Sequence, residues 1–214
     1  MGLWDLFQNN SGRIIHKWTH YFPIYERYFH QYIGKPVVFI EIGVDKGGSL
    51  QMWKKYFGPL ARIVGIDVIP SCKEFEEEQI YVRIGNQSDP VFLQNIINEF
   101  DTPDIVLDDG SHVMADIISS FNFLYPRIDK RGIYMVEDLH TAYWDEYQGG
   151  LNREGTFIER CKALIDELNA EHTRGKLQET DFSKTTLSMH FYDSVVVFEK
   201  GAYGKKYAPQ IGRP

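Results

Sequence analysis

The sequence predicts an α/β fold, a doubly wound sheet of five parallel strands closed by an antiparallel C-terminal hairpin, and three observations carry that reading. Short, β-branched apolar runs alternate five times with stretches whose apolar residues recur at helical spacing, which implies a parallel sheet with right-handed crossovers. Two of those runs, Asp104-Ile105-Val106-Leu107 and Gly132-Ile133-Tyr134-Met135-Val136, lead straight into acidic residues, the pattern of a buried strand whose carboxyl end opens into a crevice. Only Tyr192-Asp193 separates the last two runs, and so short a link requires antiparallel strands. The architecture is Rossmann-like.

The elements follow in order. Over residues 13–33 the aromatics recur at helical spacing, with Pro23 breaking or restarting the helix. Residues 37–42 form a buried strand, and a helix begins at Gly47 and runs through Leu50, Trp53 and Phe57. Residues 62–68 make a second strand, closing on Asp67, and residues 79–84 a third. The turn Gly85-Asn86-Gln87-Ser88 leads into a helix at Asp89-Pro90, where Ser88 or Asp89 serves as N-cap and Pro90 lies in the first turn. The fourth strand covers 104–107, its helix 112–125, and the fifth strand 132–136. A loop at 148–152, an amphipathic helix at 157–168 and strands at 187–191 and 194–198 complete one domain, 1–214, with its N-terminal helical segment at 13–33. The tail from Gly201 is basic, glycine-bearing and expected to be loose.

Composition narrows the function classes. A chain of 214 residues, 43% hydrophobic and 25% charged, suits one soluble α/β domain with a full core. A net charge of -7 without a basic run argues against nucleic acid as a partner. No run is apolar for long enough to span a membrane, and the start Met1-Gly2-Leu3-Trp4-Asp5 lacks a secretion signal. Two cysteines, Cys72 and Cys161, make neither a ligand spacing nor a disulfide framework, so a cytoplasmic location is expected. The tyrosine-rich segment 13–33 suits core packing or an interface in a homo-oligomer.

Chemistry gathers at the strand ends. If the fourth and fifth strands are neighbours, about 4.8 Å apart, Asp109, Glu137 and Asp138 converge. Three carboxylates at that separation repel unless they are protonated or bridged by a cation, and an all-oxygen set selects a hard ion such as magnesium, calcium or manganese. His112 then stands as a base beside the metal, although Asp109 or His112 taken singly would also serve as a helix cap. Glu41-Ile42-Gly43-Val44-Asp45-Lys46-Gly47-Gly48-Ser49 is a glycine-bearing first turn that lets backbone approach a ligand and presents amides at a helix N-terminus. Its G-x-x-x-G-G spacing is not the dinucleotide fingerprint. Asp67, ending the second strand, is placed to accept from a ribose diol, and Asn86-Gln87-Ser88 to touch a base edge or to form a polar turn. Asp108 points to the other side of its strand from Asp109, toward the cofactor or a backbone amide.

With Asp67 and the strand order, the motif Glu41-x-Gly43-x-x-x-Gly47 resembles the class I S-adenosylmethionine-dependent methyltransferases. Asp108-Asp109-Gly110-Ser111-His112 and Val136-Glu137-Asp138-Leu139, followed by Tyr143-Trp144, are similar to the metal-dependent sugar O-methyltransferases of macrolide biosynthesis and the related cephalosporin-hydroxylase-like family. The similarity runs from about His16 to Lys200, beginning with Tyr21-Phe22-Pro23-Ile24-Tyr25-Glu26-Arg27. This resemblance implies that Asp109, Glu137 and Asp138 hold magnesium, that His112 is the general base, and that the first-turn crevice takes S-adenosylmethionine. The expected activity is magnesium-dependent methyl transfer to a hydroxyl of a sugar or glycosylated small molecule. Alternatives are a catechol-like phenol as acceptor on the same fold, or a non-catalytic nucleotide-binding scaffold, for which the carboxylate set has no use.

Overall fold

The computed structural model describes residues 2–213. Seven strands form one sheet: β1 Val38–Ile42, β2 Arg62–Asp67, β3 Ile80–Ile84, β4 Ile105–Asp108, β5 Ile133–Val136, β6 Thr186–Tyr192 and β7 Val195–Lys200. Their order is β3-β2-β1-β4-β5-β7-β6. The first five pair in parallel, and β7 joins β5 antiparallel and carries β6 as its hairpin partner. The chain reverses between β1 and β4, because β1 leads outward to β2 and β3 on one side while β4 and β5 build the other. Crevices form at such a reversal, where the loops leaving two neighbouring strands part to opposite faces of the sheet.

The period of two along each strand sorts the core into two halves. Phe39, Ile63, Leu107 and Met135 face helices α1 Leu3–Gln8, α2 Phe22–Phe29 and α3 Gly48–Phe57. Ile40, Val64, Val106 and Tyr134 face α4 Pro90–Phe100, α5 Met114–Leu124 and α6 Phe157–Leu168. On the first face, fully buried Trp53 packs among Tyr25, Phe29, Phe39 and Phe57 with ring centroids 5.2–6.3 Å apart. Buried aromatics in such tilted and edge-on pairs add about 0.5–1.5 kcal/mol each beyond the area they bury. Asp89 caps α4 by accepting from the backbone N–H groups of Val91 and Phe92 at 2.8 and 3.3 Å. A last short helix, α7 Asp181–Thr185, precedes β6.

The N-terminal region departs from the expected helix over 13–33. Only Phe22–Phe29 is α-helical, with Pro23 in its first turn, where the missing N–H is no loss. Residues 11–18 run as an irregular strap, and Thr19–Tyr21 form a single tight turn. The aromatic spacing is helical only where Tyr21, Tyr25 and Phe29 are buried one turn apart; Trp18 is exposed. Helix α1 was not legible as a separate element. The tail from residue 201 to 213 has neither helix nor strand. Among the described residues no helix is long and apolar enough to cross a membrane.

Candidate active site

Alternation along three adjacent strands builds the site. Glu41 on β1 shares the face of Phe39, Asp109 shares the face of Leu107 just past β4, and Glu137 shares the face of Met135 just past β5. Asp109 N–H donates to the Ile42 carbonyl at 2.9 Å and Glu137 N–H to the Asp108 carbonyl at 3.1 Å, so sheet bonding continues one residue beyond each strand and fixes the row. The strap crosses this row and delivers Lys17, which sequence reasoning missed. Its ammonium lies 2.6 Å from Asp109 Oδ2 and 3.1 Å from Glu41 Oε1, and it donates to Glu137 Oε1 as well. The Lys17 side chain is 4% exposed and those of Glu41 and Glu137 are sealed, so this is an interior ion cluster. Burial alone would lower the Lys17 pKa, yet Asp109 and Glu137 hold it well above its ordinary value. Burial pushes the Glu137 carboxyl well up, Asp109 adds to this, and Lys17 and Tyr25 oppose it. Tyr25 donates its hydroxyl to Glu137 Oε2, so both oxygens of that carboxylate are engaged from behind.

A second group opens on the cleft. Asp109 Oδ1 stands 3.9 Å and Asp138 Oδ2 3.7 Å from His112 Nε2. One ligand atom from each of Asp109, His112 and Asp138 falls within 4.8 Å of the others, and each side chain keeps about a fifth of its surface exposed. Tyr21 fixes the Asp138 carboxylate by donating to Oδ1 at 2.7 Å. Both His112 and Asp138 adopt left-handed backbone, φ +58° and +57°, which side chains rarely occupy unless the surroundings impose it. That twist separates Asp138 from its neighbour: Glu137 is directed inward and Asp138 outward. Of the three expected metal residues, then, Asp109 and Asp138 meet at the cleft with His112, while Glu137 lies one layer behind, joined to them through Asp109.

The cleft itself holds about 520 Å³ and is lined by Gly43, Val44, Asp67, Val68, Ile69 and Asn86 on one side and by the Asp109–His112 loop and Asp138 on the other. Gly43 is obligatory: at φ +94°, a Cβ would sit 2.0 Å from the Asp109 carbonyl oxygen. The amides at the start of α3 follow Gly47, itself left-handed at φ +73°. Asp67 organises the first turn, with Oδ2 accepting from Val44 N–H at 2.9 Å and Oδ1 from Ile69 N–H at 2.9 Å. Val68 and Ile69, apolar yet more than half exposed, form part of the wall, and no motif in the chain marks them.

Other expected cofactor residues serve the walls. Ser49 touches the cleft but donates its hydroxyl to buried Glu41 at 2.7 Å. Asn86 accepts from Ser88 N–H and Oγ, both at 2.8 Å, and Ser88 stays outside the cleft. Gln87 lines the cleft, but both ends of its amide are engaged within the protein: Nε2 donates to Asp108 at 3.1 Å and Oε1 accepts from Ser111 N–H at 2.9 Å. Asp108 does not reach the cleft. It is buried against α5, accepting from Ser120 Oγ at 2.6 Å and from Gly110 N–H at 3.4 Å, and burial pushes its carboxyl up to about 6. Gln87 and Asp108 thereby hold the loop that carries Asp109 and His112.

No protein-family model matches the chain. It is 34% identical, over 88% of its length, to the 8-demethyl-8-alpha-L-rhamnosyl tetracenomycin-C 2'-O-methyltransferase of Streptomyces olivaceus, of which it covers 51%. It is also 34% identical, over 85% of its length, to the mycinamicin VI 2''-O-methyltransferase of Micromonospora griseorubida, covering 48% of that protein. The MycE methyltransferase of mycinamycin biosynthesis, solved in complex with Mg and SAH, superposes with a TM-score of 0.81 at 32% identity, over 94% of this chain and 54% of that one. The chain thus spans about half the length of the curated relatives it matches. In sequence it is similar to sugar O-methyltransferases, and in fold to MycE.

Proposed function

We propose that this chain, similar to sugar O-methyltransferases over most of its length, is itself an S-adenosylmethionine-dependent O-methyltransferase that uses magnesium and acts on a sugar hydroxyl of a small-molecule glycoside. The observation that carries the reading is one cleft shared by Gly43 and Asp67 at the first turn and by Asp109, His112 and Asp138 at the ends of β4 and β5. A MycE structure holding Mg, SAH and mycinamycin VI together supports placing metal, cofactor and glycoside in such a cleft.

The residues fit both groups. Carboxylate oxygens facing the cleft suit a hard divalent ion, so Asp109 and Asp138 would hold magnesium, with Glu137 contributing charge through the shared interior row. Magnesium, when bound, supplies Lewis acidity that eases ionisation of an acceptor hydroxyl. A cleft of about 520 Å³ lies within the range of small-molecule sites, and Val68 and Ile69 offer apolar surface to a planar base. Asp67 holds lone pairs in reserve for a ribose diol. The acceptor oxygen attacks the sulfonium methyl in line, the C–S bond breaks, S-adenosylhomocysteine leaves, and His112 Nε2 takes the hydroxyl proton. His112 is held for this by its left-handed backbone and by the Gln87–Ser111 contact. Tyr147 lies edge-on to His112 at 6.1 Å and tilted against Trp144 at 6.1 Å, and Trp144, 45% exposed, offers a face on which the apolar side of a pyranose can rest.

The direct test is transfer of labelled methyl from S-adenosylmethionine to a panel of deoxysugar glycosides and catechols in the presence of magnesium. Labelled glycoside supports the reading; label on catechols alone moves the acceptor to phenols. Asp67→Ala is expected to weaken S-adenosylhomocysteine binding at least about tenfold, since two hydroxyls lose a charged acceptor and the first turn loses its tie. Calorimetric titration measures it, and an unchanged affinity removes Asp67 from the cofactor site.

A further inference from the structure

We infer that Lys17 is a tethered counter-cation that competes with the divalent ion for the carboxylate row and sets how tightly that ion binds. The inference rests on the metal reading above and concerns a residue outside the metal-binding set.

Three observations lead to it. The Lys17 ammonium already bridges Asp109, a cleft carboxylate assigned to the metal, and Glu137, the buried carboxylate behind it, and touches Glu41 at 3.1 Å. Asp109 is common to both convergent groups, the interior one with Glu41 and Glu137 and the cleft one with His112 and Asp138, so any cation on the cleft side shares it with Lys17. Lys17 also rides on the irregular strap rather than on a helix or strand, and Ile14 and His16 of the same strap line the cleft. The strap is seated closely, since a Cβ on Gly48 would lie 2.2 Å from the Ile14 carbonyl oxygen.

Electrostatics decides the sign. A single positive charge a few ångströms from a divalent ion raises its free energy when the two sit in an environment shielded from water. Whether Lys17 stays in place and repels the ion, or withdraws and gives up three ionic contacts, its presence lowers affinity. Its benefit is on the other side of the equilibrium. Glu41 and Glu137 are buried, and without a partner they would be costly charges. Glu41 Oε1 has no aligned hydrogen bond, and among the described residues Lys17 is the one salt-bridge partner it has.

The test uses the full chain after chelation and dialysis, with magnesium alone as the titrant, read by calorimetry, and with the thermal midpoint recorded with and without magnesium. Lys17→Met should bind magnesium at least about tenfold more tightly than wild type. It should also melt lower in chelator and regain most of the loss when saturated with the ion. Lys17→Arg keeps the charge and should remain near the wild-type affinity; it carries the comparison if the methionine variant fails to fold in chelator, because that variant should then fold on addition of magnesium. Equal or weaker magnesium binding by Lys17→Met overturns the proposal and makes Lys17 a residue that positions the ligands. Failure of the wild type and both variants to bind magnesium removes the metal reading itself, and this proposal with it.

Discussion

Excess EDTA should reduce methyl transfer to background while S-adenosylhomocysteine still binds, and added magnesium should restore the rate. The expectation follows from the division of the cleft. Asp67, Val68 and Ile69 form one part, tied together by the Val44 and Ile69 amides that Asp67 accepts from, so chelation should leave the cofactor half intact. Without the ion, Asp109 and Asp138, held by Lys17 and Tyr21, still present carboxylate oxygens to the substrate, which disfavours any oxyanion nearby. Asp138→Asn and Asp109→Asn should reproduce the chelated protein. Glu137 behaves differently, because both its oxygens are bonded from within by Lys17 and Tyr25. Glu137→Ala leaves a buried cation short of a partner and should cost about 3–5 kcal/mol of stability along with activity, whereas Glu137→Gln keeps more of the packing. Counting transferred label over a chelator series measures all four. Full turnover in EDTA would falsify the metal assignment.

Replacing His112 should cost on the order of 10²–10⁴ in turnover with magnesium and cofactor affinities retained. The choice of replacement matters because His112 sits at φ +58°. Asparagine accepts that backbone conformation more readily than alanine, so His112→Asn removes the base with less disturbance of the loop. Activity that returns at high pH, where hydroxide can serve instead, would support the same role. A variant with the wild-type rate and pH profile makes His112 a ligand or a packing residue, and attention passes to His140, whose Nδ1 lies 4.0 Å from Asp138.

What the sequence discloses is what alternation and strand endings control. Each parallel strand is a short apolar run because it is buried on both faces, and the hairpin follows from the two-residue link before β7. The order of residues at a strand end likewise separates Asp108 from Asp109. The strap was not legible. The aromatics of 13–33 recur at helical spacing and mask it, and Lys17 is drawn to three carboxylates from distant parts of the chain, a pull that has no local signature. Tyr21 and Tyr25 look like core residues and are; their hydroxyls nonetheless end on Asp138 and Glu137. Gln87 illustrates the remaining difficulty. A polar residue in a turn can face a ligand or its own loop, and only the position of Ser120 and Ser111 turns it inward.

The left-handed conformations of His112 and Asp138 bear on how such a protein would respond to selection for heat resistance. Each costs about 1 kcal/mol or more relative to glycine at the same place. A screen that rewards only survival of the fold would therefore favour His112→Gly and Asp138→Gly, the two changes that relax the backbone and delete the chemistry at once. Gains in melting temperature at these two positions are gains against activity, so any thermostable library of this chain has to hold both residues fixed and look for its increments elsewhere.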